Sequence, residues 1–146
     1  MRQTDSVLEI VIVVIAGLLL GLVAFALVGL LRVRGLRTRH RARLATVQPR
    51  HSEPATLVGI ASEGRASGRT VGTLAVGDSH LLFAQLVPER DLLVPRDAVT
   101  SARATRHFLG RTADAEVLVV TWDVDGLSDA AAFGVPDVGD WVARLV

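Results

Sequence analysis

The sequence has no cysteine, no tyrosine and no lysine; its sixteen basic residues are all Arg. Without cysteine there is neither a disulfide framework nor a thiolate metal site or nucleophile, so any folded part must be held by packing alone. Aromatic residues make up only 4 % of the chain. None lies between Arg32 and Arg50, so the Arg-rich segment there lacks the stacking platforms that a nucleic-acid-binding segment uses. His80 has no HxH or HxxxH partner, and a metal site is not expected.

What the chain does have is one long apolar run, Val7 to Leu31, 25 residues interrupted only by Glu9. As a helix it would be about 37 Å long, enough to cross a hydrocarbon core of about 30 Å with some tilt. The expected division is a head at 1–6, a transmembrane helix at 7–31, an Arg-rich collar and linker at 32–54, and one small domain at 55–146. Glu9 sits at the outer end of the run, where its carboxylate can reach the interface; a proton or ion path would place one nearer the midplane.

The formal charge of +1 hides a split. Residues 1–54 carry eight Arg against three acids, and residues 55–146 carry eight Arg against twelve. The collar holds Arg32, Arg34, Arg37, Arg39, Arg41 and Arg43, expected to contact lipid headgroups and to stay on the cytoplasmic side. The N-terminus is then outside and the acidic domain inside, at the cell membrane. A cleavable signal peptide is disfavoured by the neutral head, the length of the run and the Arg cluster that follows it. Gly17 and Gly21 form a GxxxG, the spacing at which two membrane helices can approach closely, which allows self-association or docking on another membrane helix. Residues 44–54, with two prolines and no periodicity, read as linker.

From Ala55 short apolar runs recur about every ten residues between Gly, Asp and Pro, the pattern of an all-β domain. Strands are expected at 55–61, 69–76, 80–86, 90–94, 99–107, 115–122 and 127–133, with tight hairpins at Gly77–Ser79 and Asp123–Gly126. Val138, Trp141, Val142 and Leu145 then fall at i, i+3, i+4 and i+7, so a short amphipathic helix closes the chain with Trp141 as its anchor. Trp122 also sits in an apolar pattern and is expected in the core.

Seven strands and a terminal helix with a central Trp, together with GTLAVGDSHLLF at Gly72–Phe83 and LLVPRDAV at Leu92–Val99, resemble the pleckstrin-homology (PH) fold. The likeness is to bacterial PH-like domains, and among them to the single-pass, PH-tailed membrane proteins of actinobacteria. It implies a seven-stranded curled sheet or partly open barrel capped by a C-terminal helix. By the same resemblance Arg65 and Arg69, in the segment SEGRASGR after the first strand, are the candidate anion contacts, with Glu63 beside them as a departure. The run GDSH at Gly77–His80 is similar to the start of a GDSL esterase motif but lacks the downstream Asp-x-x-His. Arg103, Thr105 and His107 share one face of a strand. No catalytic set and no cofactor are expected. The expected function is a membrane-tethered interaction or scaffolding module with the bilayer, a protein partner and no nucleic acid as its contacts; an accessory subunit of a transporter or export complex, docking through Gly17 and Gly21, is the alternative.

Overall fold

A computed structural model describes the backbone of residues 2–146 and the side chains of residues 13–32, 35–65 and 70–146. The chain divides into two compact units, Met1–Arg39 and His40–Val146. The first unit is helical. Helix α1 (Arg2–Ala45) is long and apolar enough to cross a membrane, and every side chain from Val13 to Arg32 is exposed. In water such a surface would be strongly unfavourable, which is why the run demands an apolar environment.

The second unit is antiparallel: β1 (His51–Ile60), β2 (Gly64–Val76), β3 (His80–Gln85), β4 (Arg90–Pro95), a 3-10 turn at Arg96–Ala98, β5 (Val99–Phe108), β6 (Arg111–Val124), β7 (Leu127–Gly134) and α2 (Val138–Leu145). The seven strands form one sheet in the order β4-β3-β2-β1-β7-β6-β5, open at β4 and β5. Val94 of β4 and Ala102 of β5 lie on opposite edges yet share one buried cluster with Leu74, Phe83, Leu118 and Phe133, so the sheet curls around its own core. Trp141 and Leu145 of α2 complete that core. Helix α2 starts at Asp137, whose Oδ1 accepts from the Asp140 amide at 2.9 Å.

The strand sequences read as unbroken apolar runs because the sheet is covered on both faces in two places. Along β3, Leu81 and Phe83 enter the main core, whereas Leu82 and Ala84 join Ala75 and Val47 in a second cluster with Leu44 against it. Along β6, Leu118 and Val120 face the main core, whereas Val117 and Val119 pack with Ala132 under Val58 and Phe108.

Two boundaries differ from the expectation. Residues 44–54 are not linker: Val47 is buried, Arg50 N donates to Val76 O at 2.9 Å, and β1 begins at His51. Pro54 is tolerated in β1 because pairing with β7 starts only at Thr56, so on that side Pro54 has no neighbour needing its missing N–H. Likewise SEGRASGR is not a loop. Gly64, at φ +84°, closes a turn over 61–63, and β2 runs from there, with Arg65 opposite Gly59. The hairpin between β6 and β7 forms as expected; Asp125 and Gly126 both have positive φ, the geometry that matches strand twist.

Candidate functional site

The end of α1 that belongs to the second unit is bound to the outer face of the sheet. Arg43 Nε donates to Asp91 Oδ1 at 2.8 Å, and its Nη2 donates to that same carboxylate oxygen and to the carbonyls of Gln85 at 3.0 Å and Arg90 at 2.8 Å. Arg43, grouped with the headgroup contacts in the sequence, thus has its guanidinium engaged by the β unit. Arg32, Arg37, Arg39 and Arg41 are exposed, and the side chain of Arg34 lies outside the described residues. Arg43→Ala is expected to loosen residues 40–50 by about 1–3 kcal/mol, the range for hydrogen bonds to a charged group. Trypsin cleavage at Arg50 in the full-length protein in micelles measures it.

His40 lies nine residues beyond Leu31 and pairs its Nε2 with Thr73 Oγ1 at 2.8 Å. Its Nδ1 is buried without a hydrogen-bond partner among the described residues. Burial first, and the Arg43 charge next, push its pKa below the ordinary 6.5, so the fold favours the neutral ring. The unfolded chain therefore binds more protons just below that value, and docking of residues 40–50 weakens as the pH falls through about 6.5, levelling off once the folded ring is also protonated. The protection of this segment against hydrogen exchange, taken relative to the intrinsic rate at each pH, is expected to fall between pH 7 and pH 5.5, and His40→Gln to flatten the profile.

Beside this docked segment lies a cleft of about 370 Å³ between the β1–β2 and β3–β4 turns. Leu57, Ile60 and Val87 supply its apolar wall, and Thr70 and Gln85, both buried, its polar one. Arg90 donates from Nη1 to Glu63 Oε2 at 2.7 Å and from Nη2 to Oε1. Those hydrogen bonds hold the Glu63 carboxyl below its usual value. Glu63, which the sequence set against Arg65, is thus spoken for by Arg90.

Arg65 lines this cleft and also a second, much smaller depression of about 20 Å³, shared with Arg106, Phe108 and Arg111. Gly59 makes the approach feasible: a Cβ there would meet Gly64 O at 2.8 Å and Leu109 Cδ1 at 3.3 Å, so the β5–β6 turn closes down on β1. The Arg69 side chain lies outside the described residues. Arg106 and Arg111 were not legible as neighbours of Arg65, being some forty residues away in the chain.

The remaining polar candidates separate. Arg50 binds Asp78 at 2.8 Å and His80 Nδ1 pairs with Ser79 Oγ at 2.9 Å, so Asp78 and His80 do not converge. Among the described residues no group of three His, Cys, Asp or Glu is placed to hold a metal. Trp122 and Trp141 are both in the core. Gly17 and Gly21 lie on α1 with nothing within 4 Å of where a Cβ would stand.

No protein-family model and no curated protein matches this sequence.

Proposed function

We propose that this chain is a single-pass cell-membrane protein whose β unit, a PH-like domain, works on the cytoplasmic face as a non-catalytic module for holding a protein partner. The observation that carries this reading is the presence, in one chain, of an exposed apolar helix and a separately packed β unit joined by a short Arg-rich stretch. Eight residues lie between Leu31 and His40, a stretch that spans at most about 30 Å, so the β unit is tethered within that reach of the end of the apolar run. Confinement of that kind turns a weak contact into a useful one by raising local concentration. The antiparallel order 4-3-2-1-7-6-5 with a terminal helix anchored by Trp141 supports the PH-like reading, as do the hairpin at Gly77–Ser79 and the Leu82-Phe83 pair in the strand that follows it. Arg32, Arg37, Arg39 and Arg41 support the inward orientation and headgroup contact.

Cross-linking of the full-length protein in its native membrane, followed by mass spectrometry, tests the reading. Partner adducts from residues in 51–146 are expected; their absence, with adducts confined to α1, would overturn it. A reporter fused after Val146 that is active only outside the cell would overturn the orientation. The second reading, an accessory subunit docked through the membrane helix, draws on the open surface at Gly17 and Gly21. It predicts that Gly17→Leu with Gly21→Leu abolishes partner recovery, whereas the first reading predicts no change.

A further inference from the structure

The arginines of the β unit fall into two groups. Arg43, Arg50, Arg90 and Arg144 each bind a carboxylate, and Arg96 donates to the carbonyls of Gly77 and Arg144. Arg41, Arg65, Arg103, Arg106 and Arg111 bind none among the described residues, although acids outnumber arginines in this part of the chain. Of these, Arg65, Arg106 and Arg111, all exposed, line one small depression of about 20 Å³ whose floor is apolar, formed by Val58, Phe108 and Val117. Three like charges gathered without a counter-charge repel one another, and an arriving anion removes that repulsion.

The adjoining strand says what kind of anion. β5 is one of the two edges of the sheet, with no strand on its outer side. Beyond Thr105 its register breaks, and Thr105 Oγ1 accepts from the His107 amide at 3.1 Å. Residues 101–105 pair with β6 on one side and with no strand on the other. An edge that offers main-chain hydrogen bonds can be used only by a polypeptide, and an apolar floor ringed by guanidiniums suits alternating acidic and apolar side chains better than a lipid headgroup.

Building on the interaction-module reading, we infer that the partner presents an extended acidic segment that adds as an eighth strand along residues 101–105 of β5 and sets its carboxylates on Arg65, Arg106 and Arg111. Arg65 thereby keeps an anion-binding role, with strand-borne neighbours in place of a loop.

The test uses full-length protein in nanodiscs of zwitterionic lipid and a fluorescein-labelled nonapeptide of alternating Asp and Val, with an Asn/Val twin as control. Anisotropy is expected to show binding of the Asp peptide, weakened at least about tenfold in the Asn twin and again in an Arg106→Ala/Arg111→Ala variant, since each change removes charge-assisted hydrogen bonds. Hydrogen exchange at residues 101–105 is expected to slow only with the Asp peptide. All three arginines are exposed, so the variant keeps the fold. The inference is overturned if the Asp peptide fails to bind up to millimolar concentration or if the variant binds it equally. It is also overturned if inorganic phosphate or anionic vesicles, and not the peptide, depend on these arginines. Native-membrane cross-links that persist in the variant would remove this site while leaving the module reading intact; their absence in the unmodified protein would remove both.

Discussion

Trp141→Ala is expected to destabilise the β unit by about 3–5 kcal/mol, the range for emptying a buried aromatic site. Domains of this size have total margins of about 5–15 kcal/mol. Trp141 is completely buried, and with Leu145 it is the part of α2 that enters the core. Its ring meets His51 edge-on at 4.9 Å, and its Nε1 donates to Glu53 Oε2 at 3.0 Å. Truncation opens a cavity between α2, β5 and β6 and leaves the half-buried Glu53 carboxylate without that donor. α2 is only eight residues long, too short to persist without its anchor. The thermal midpoint in micelles should fall by on the order of 15 °C or more. Trp141→Phe keeps most of the volume and loses the indole N–H, so it should cost only about 1–2 kcal/mol. A loss below 1 kcal/mol in the Ala variant, or equal losses in the two, would show that α2 is not the closing element of this core.

The case of Trp141 also shows what the sequence makes legible. The stripe Val138, Trp141, Val142 and Leu145 is a local periodicity, and it forms the helix it announces. Asp125-Gly126 is a local turn signal and forms the turn. Glu53 and His51, which hold Trp141 from β1, were hidden because their role depends on a contact 88 residues away in the chain. Pro54 argued for linker across a stretch that is strand, since a missing N–H is harmless where one side of the strand lies unpaired. The Gly- and Ser-rich segment after β1 argued for a long loop, whereas one positive-φ Gly64 closes the turn and the remainder extends β2.

For the candidate site the limit is of the same kind. Arg65 was singled out in the sequence; Arg106 and Arg111 join it only because the β5–β6 hairpin bends onto β1, a consequence of the register break near Thr105. The collar misled in the opposite direction. Six arginines at nearly regular spacing look equivalent as a string, yet Arg43 is withdrawn from the set by an aspartate 48 residues downstream. Charge spacing tells where cations are, and tertiary pairing decides which of them remain available to a membrane or a partner.

Gly77→Ala should release that same docked segment while leaving the sheet standing. A Cβ at position 77 would lie 2.0 Å from Val47 O and 3.2 Å from Gln48 O, both backbone atoms that no side-chain rotation can move away. Neither side has slack: Gly77 N donates to His80 O at 2.9 Å, fixing the β2–β3 turn, and Arg50 N donates to Val76 O at 2.9 Å, fixing the docked chain. Overpacking typically costs about 1–3 kcal/mol and more against backbone. The alternative is to let go of residues 40–50, forfeiting the burial of Val47, at about 1.5–3 kcal/mol, and the hydrogen bonds of Arg43 to Asp91, Gln85 and Arg90, at about 1–3 kcal/mol. A 2.0 Å approach to a main-chain oxygen lies far beyond the clashes that the overpacking range describes, so release is the cheaper relaxation. Local opening made easier in this way should speed trypsin cleavage at Arg43 and Arg50 by about a hundredfold. The circular-dichroism signal of the strands should persist. Gly139→Ala, where the nearest atom is Asp137 Oδ1 at 3.5 Å, should leave cleavage unchanged and serves as the control. If Gly77→Ala cleaves at the unmodified rate, the turn at Val47 does not rest on the β2–β3 hairpin. The attachment of residues 40–50 to the sheet would then have to reside in His40 and Arg43 alone.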